Sequence, residues 1–493
     1  MGLRSTAADV TLRSASDLVA ALRARELSSR ELLDAYLDRI DRLDPALNAV
    51  VTLDADRARA EADASDRATM RGDADGALHG LPITVKDSIE TAGLRTTAGA
   101  AELADHVPMV DAPSVARLRA AGAVVFGKTN LPAWAGDCQT FNDLFGCTNN
   151  PWDPTRTPGG SSGGSAAAIA AGLTGLELGS DWGGSIRIPA HFCGVYGLKP
   201  TWGTVPLRGH LPPPPGTLTE MDVAVLGPLG RTADDLALAL DVLAGPEVAP
   251  AMAWSLTLPP PRAAEVAEYR IAVRLHDPDF PLDRESDDLL QAAVDALAAA
   301  GATVDDRAEL PCLAEGHAVA QQLIQGSMSH SIPDEEFERL LDVATSADPD
   351  DDSPPVRWAR NITQPARDLN RVREHRARLQ TQWADVFRDY DTVLCPVTPT
   401  AAFPHDHRPA DDRRIPFDET TIPYSDQFAW LQSTGVVRLP SVAAPVGRTR
   451  SGLPVGIQIV GPPFEDHTAI DVARNLAMLI GGYTPPPTER LTR

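Results

Sequence analysis

Short apolar runs alternate with helical patterns along most of this chain, and that alternation restricts it to an α/β architecture built on a sheet. The clearest strand candidates are Ile83 to Val85, Ala123 to Phe126, Ile271 to Val273, Thr392 to Leu394 and Val455 to Val460. The first 65 residues read instead as helices. There Ser28 and Glu31 form a capping box, with Leu32, Leu33, Tyr36, Leu37 and Ile40 on one face behind it. A further helix through Val115 and Leu118 starts near Pro113, which a first turn tolerates, and stops at Gly122. Hydrophobic residues make up 43% of the 493, ample for one large core. Proline clusters stand at 212–215, 259–261 and 485–487, and the middle one reads as a connection between two halves. Segments 346–355 and 404–415 read as exposed loops.

Charge and cysteine usage narrow the function. A net charge of -24 offers nothing to offset phosphate repulsion, so nucleic-acid binding is excluded. Five cysteines, an odd number with no CxxC pair, suit a reducing cytosol and argue against a disulfide framework or a zinc site. No run of 18 apolar residues is present to span a membrane. The stretch MGLRSTAADV lacks the apolar core of a signal peptide, and Gly2 with Thr6 matches only the short myristoylation pattern. A soluble, cytoplasmic protein is expected.

Three lysines, Lys86, Lys128 and Lys199, stand against 41 arginines. Arginine stays charged in proteins, whereas a buried lysine can lose its proton and act as a base. Each lysine sits in an apolar or glycine-rich setting, and Lys86, in LPITVKDSIE, is the first candidate for catalysis.

Two apparent motifs fail on context. Residues 122–129, GAVVFGKT, match a phosphate-loop pattern, but the residues between the glycines are themselves the strand. GxSxG occurs twice in GGSSGG (159–164), yet a proline-rich loop precedes it where a nucleophile elbow needs a strand. The informative segment is 158–201, PGGSSGGSAAAIAAGLTGLELGSDWGGSIRIPAHFCGVYGLKPT. Glycines surround Ser161 and Ser162 at one end and Ser185 at the other. Trp182-Gly183-Gly184-Ser185 can turn backbone N–H groups toward a single oxyanion while Ser185 attacks. A Ser–Ser–Lys set would then use Lys86 as its base.

Segment 158–201 resembles the signature of the amidase signature family of Ser-Ser-Lys hydrolases. The resemblance covers nearly the whole chain. GLPITVKDSIETAGLRTTAGA (80–100) is similar to the family's lysine motif, and GKTNLP (127–132) with GCTNNPWD (146–153) to its next blocks. LGPLGRTADDLALALDVLAG (226–245), LPSVAAPVG (439–447) and GLPVGIQIVGPPFED (452–466) are similar to later ones. The implied fold is α/β, a large mixed β-sheet covered by helices on both faces. It would form one domain over 1–493: a helical region (1–65), a catalytic core half (66–247), the proline-rich connection (248–268) and a second half completing the sheet (269–493).

Residue by residue, the resemblance makes Ser185 the acyl nucleophile and Lys86 the base. Ser161 becomes the bridging serine, which the family holds by a cis peptide bond. Ser162 takes a supporting role, and the N–H groups of Trp182, Gly183, Gly184 and Ser185 form the oxyanion hole. Neither metal nor cofactor is implied. Burial beside Ile83 and Val85 would lower the Lys86 pKa, as a base requires. Lys128 and Lys199 read as structural hydrogen bonders, His191 and Cys193 as core, and Arg187 as an ion-pair partner.

Departures from the family pattern bear on substrate. Trp182 stands where a small or aliphatic residue is common, and can narrow the pocket or wall it for a flat group. Ile188 stands where glutamine-hydrolysing subunits carry Gln and malonamide-cleaving members carry Arg. Isoleucine cannot grip a carboxylate or amide by a charged or bidentate contact. Ala133 replaces a frequent Glu. The expected reaction is therefore hydrolysis of small apolar or aryl amides, esters or carbamates. The alternatives are the glutamine-hydrolysing subunit of a tRNA-dependent amidotransferase, or an inert amidase-like scaffold. Asp137 and Gln139 in GDCQTFN (136–142), with Ile188, are the candidate substrate contacts, and loop 205–222 is expected near the entrance. The expected partner is a small molecule, with no nucleic acid and no membrane, and the sequence is compatible with a homodimer.

Overall fold

The computed structural model describes residues 10–247 and 250–491; the Gly2 and Thr6 pattern lies outside them. All five expected strands form, with shifted ends: Pro82–Lys86, Val124–Thr129, Arg270–Val273, Thr392–Pro396 and Pro454–Val460. Six more join them in one 11-stranded sheet. Across it the order is Val50–Leu53, Val124–Thr129, Pro82–Lys86, Glu177–Asp181, Val225–Gly230, Tyr196–Lys199, Ser441–Arg448, Pro454–Val460, Thr392–Pro396, Arg270–Val273 and Thr303–Asp305. Pairing is mixed. Pro82–Lys86 runs parallel to both its neighbours, as does Arg270–Val273, and the remaining pairs are antiparallel. Strands on both sides of the 248–268 connection thus share one sheet. The molecule is an α/β fold with helices packed over the sheet.

Central strands are buried at every position, as in Pro82–Lys86, Glu177–Asp181 and Val225–Gly230. That is the pattern of strands covered on both faces, where apolar runs replace alternation. The helix Gly163–Ala171 is likewise buried throughout. Its glycine and alanine residues permit close approach: a Cβ on Gly164 would lie 2.5 Å from the backbone nitrogen of Asn130. Helix Ser29–Leu47 carries the expected capping box, and Leu32, Leu33, Tyr36, Leu37 and Ile40 are all buried. Each such side chain stabilises the fold by about 1.5–3 kcal/mol. No helix among the described residues is long and apolar enough to cross a membrane.

Four helices, Leu313–Met328, Asp334–Ser346, Pro354–Ile362 and Ala366–Asp389, lie along the chain between the strands Thr303–Asp305 and Thr392–Pro396. The loop 404–415 differs from expectation, because part of it is anchored in the protein. Arg413 is 5% exposed and donates to Asp137 Oδ2 at 2.6 Å, while the Gln139 amide bonds the backbone of Asp406. A buried arginine must keep its counter-charge, so this loop is held against segment 136–142. The parallel strands Pro82–Lys86 and Glu177–Asp181 end at one edge of the sheet, the edge where open α/β sheets gather their functional groups.

Candidate active site

Lys86 ends its strand fully buried, and its Nζ lies 2.6 Å from Ser161 Oγ and 2.9 Å from Ser180 Oγ. Ser161 follows a cis peptide bond from Gly160. A side chain on Gly160 would lie 2.8 Å from the Cys138 carbonyl carbon and 2.9 Å from Asp137 O, so glycine is needed for that approach. Ser162 ties the segment together: its N–H donates to Ser185 O at 3.1 Å and its hydroxyl to Ser180 O at 3.2 Å. Burial pushes the Lys86 ammonium down to about 7, against the opposing pull of Asp181 and Glu177. Near neutral pH a large share of Lys86 is therefore an uncharged amine able to accept a proton.

Ser180 and His210, which the sequence did not single out, set the direction of that hydrogen bonding. Burial and the charge of Lys86 push the His210 imidazole down to about 3, so the ring is neutral. Its Nδ1 stands 2.9 Å from Pro212 O, which can only accept, so Nδ1 carries the ring proton. Nε2 is then bare and accepts from Ser180 Oγ at 2.9 Å. Ser180 in turn accepts an N–H from Lys86, and the lone pair of neutral Lys86 is left for the Ser161 hydroxyl. Ser180 stands one residue before Asp181 in a segment already marked, but His210 occurs in no motif. Only the fold brings the loop after Pro200 back against Ile89, where His210 forms an isolated bridge.

Ser185 is half-buried and opens into a cavity of about 740 Å³. The loop before it depends on Gly184, whose φ is +127° and whose added Cβ would lie 2.5 Å from Leu431 Cδ1. Of the four expected oxyanion donors, the Gly184 N–H is already committed, donating to Asp181 Oδ1 at 2.9 Å. The cause lies beneath the loop. Arg187 forks onto both oxygens of Asp181, at 2.8 and 3.0 Å, and holds the carboxylate in place. Burial alone would raise Asp181, but Arg187 keeps it at about 2. The N–H groups of Trp182, Gly183 and Ser185 have no acceptor among the described residues.

The cavity walls are mainly apolar: Trp134, Trp182, Met221, Ile324, Met328 and Phe428 line them. No arginine or lysine is among the described residues that do. Its two acidic groups are occupied. Glu102 accepts from Trp134 Nε1 at 2.7 Å, and Asp137 from Arg413 at 2.6 Å and Tyr424 at 2.5 Å. Trp182 is held as a wall by its indole N–H, 3.1 Å from Asp222 O.

The other candidates are placed elsewhere. Gln139 does not line the cavity, since both ends of its amide bond Asp406, at 2.7 and 3.1 Å. Ile188 is fully buried and packs under Gly184 and Gly159. Lys128 bonds Ile89 O and Thr91 Oγ1, and Lys199 bonds Pro200 O at 3.0 Å. His191 is buried between Gly456 and Thr400. Arg187 also donates to Leu431 O and Gln458 Oε1, the saturated partner set of a structural ion pair.

A family model described as Amidase matches residues 31–470. The chain is 33% identical to the A-subunit of the glutamyl-tRNA(Gln) amidotransferase of Thermosynechococcus vestitus over 91% of its own length and 94% of the relative's. Among solved structures it resembles the A-subunit of the Thermotoga maritima glutamyl-tRNA(Gln) amidotransferase, with TM-score 0.75, 26% identity and 94% of each chain covered. A bacterial aryl acylamidase of the amidase signature enzymes superposes with TM-score 0.79 and 25% identity over 98% of each chain. A match across so much of the chain, together with the same central sheet, makes this protein a hydrolase of the amidase signature family.

Proposed function

We propose that the protein hydrolyses small apolar or aryl amides, and related esters or carbamates, through an acyl-enzyme. Ser185 attacks the carbonyl and passes its proton to Ser161, while Ser161 passes its own to neutral Lys86. The protons return along this path to the leaving group, and water cleaves the acyl-enzyme by the same relay. The free N–H groups of Trp182, Gly183 and Ser185 receive the oxyanion. The observation that carries this reading is the lining of the Ser185 cavity: mainly apolar and aromatic, with both carboxylates already bonded, no arginine or lysine, and polar groups limited to Ser185, Ser327, His330, Ser331 and Gln432 beside them. Glutamine presents an α-carboxylate, which a fixed arginine or lysine would hold best, and none lines this cavity.

A second reading has its own support. Curated relatives include A-subunits of glutamyl-tRNA(Gln) amidotransferases, at 31–34% identity over nearly full length. By overall similarity they favour a glutamine-hydrolysing role, and the cavity lining weighs the other way. Initial rates of the purified chain on an aryl acetamide, an aryl ester and glutamine separate the two, with Ser185→Ala as the blank. Ser185-dependent turnover of the aryl compounds supports the first reading. Activity on glutamine alone, or only once a partner protein is added, replaces it with the second.

A further inference from the structure

Outside the Ser185 cavity, three side chains bring metal-binding atoms together: Cys147, His405 and His407. Cys147 lies on the two-residue strand Gly146–Cys147, paired with Phe141–Asn142, and the histidines come from the loop that Gln139 and Arg413 anchor. Cys147 Sγ is 3.4 Å from His405 Nδ1 and 3.7 Å from His407 Nε2, and all three ligand atoms lie within 4.8 Å of one another. For a tetrahedral ion with metal–sulfur bonds of about 2.3 Å and metal–nitrogen bonds of about 2.0–2.1 Å, the sulfur–nitrogen edge is about 3.6 Å. Both observed distances are close to that edge; His405 Nε2 is also 3.9 Å from the same sulfur, so this ring lies side-on to Cys147 and turns to aim one nitrogen at a bound ion.

One of the rings is held in place: His407 stacks on Phe141 with centroids 4.1 Å apart. Cys147 and His405 are partly buried and His407 is exposed, which leaves a path for an ion and room for a water as fourth ligand. A sulfur with two imidazoles selects a borderline-soft ion over magnesium or calcium.

We propose that Cys147, His405 and His407 form a binding site for a thiophilic divalent cation, zinc in the first instance. As the ion binds, the Cys147 thiol releases its proton to solvent and the thiolate coordinates; nothing is oxidised or reduced. The histidines flank Asp406, whose backbone Gln139 grips two residues from Asp137 in the cavity wall. A bound ion therefore staples the 404–413 loop to strand Gly146–Cys147, which pairs with Phe141–Asn142 just after the cavity-lining Asp137 and Cys138.

The test uses the untagged full chain, stripped with chelator and dialysed, then titrated with Zn²⁺ by calorimetry and with Co²⁺ by absorption spectroscopy. One equivalent of Zn²⁺ should bind and raise the melting temperature. Co²⁺ should show a thiolate charge-transfer band with the strong visible bands of a tetrahedral site. Cys147→Ser should abolish the charge-transfer band, and His407→Ala should weaken Zn²⁺ binding at least ~10-fold. His407 is at the surface, so that variant retains its fold. Absence of Zn²⁺ binding, or binding as tight in both variants as in the parent chain, overturns the proposal.

Discussion

Lys86 Nζ and Ser180 Oγ stand 2.9 Å apart on neighbouring parallel strands, and His210 Nε2 reaches the same hydroxyl at 2.9 Å. Because His210 accepts the Ser180 hydroxyl hydrogen bond, Ser180 can only accept from Lys86, and the lysine lone pair is directed at Ser161. His210→Ala frees the Ser180 hydrogen to compete for that lone pair. The expected loss is about 10- to 100-fold in kcat with little change in KM, the low end of general-base effects. Adding Ser180→Ala should bring no further loss, since the two act as a unit. A double-mutant cycle in steady-state kinetics decides it, and additive losses would show that His210 acts on something else.

Activity should rise with pH through about 7, the value to which burial pushes Lys86, because only the neutral amine can take the Ser161 proton. The measurement is kcat/KM for a substrate that does not ionise between pH 5 and 9. A rising limb centred near 10, where an ordinary lysine titrates, would remove Lys86 from the role of base.

The same burial costs stability. Between about 7 and 10.5 the unfolded chain holds the Lys86 proton and the folded chain does not, so folding stability rises with pH across that window. Lys86→Met removes the group. It should eliminate turnover and raise the melting temperature, with the gain largest below pH 7 and shrinking toward 10.5. Scanning calorimetry of both proteins at pH 6.5 and 9.5 tests this; a gain that does not depend on pH contradicts the assignment.

Asp181 and Arg187 are each 1% exposed at their side chains, so breaking the pair strands a buried charge. Asp181→Asn should cost about 3–5 kcal/mol of folding stability, read from urea unfolding. In the wild type, the contribution of this carboxylate is present above its ordinary value of 3.8 and lost as pH falls toward about 2.

Trp182 lines the cavity three residues before Ser185, and under the proposed function it would contact the aryl group. Trp182→Ala should raise KM for an aryl acetamide by about 3- to 10-fold, the loss of one aromatic contact, and leave acetamide itself little changed. Equal effects on both substrates would mean that the ring shapes the oxyanion loop rather than the substrate pocket.

Much of the frame was legible in the chain. The five apolar strands and the Ser28 capping box depend on neighbours in sequence, through burial on both faces and through local hydrogen bonds, so pattern alone reveals them. Lys86, Ser161 and Ser185 stood out as candidates because the chain is poor in lysine and segment 158–201 is rich in glycine. What the chain alone could not disclose are meetings between distant residues. His210 reaches Ser180 only after its loop returns to Ile89, and Gly184 loses its free N–H only because Arg187 fixes Asp181 beneath it. Cys147 belongs to no CxxC pair, yet it faces His405 across a separation of 258 residues. Local chemistry determined the elements and the reactive groups. Tertiary packing decided which of those groups share a proton, which are spent on structure and which converge on one point, because such contacts depend on distance in space rather than along the chain.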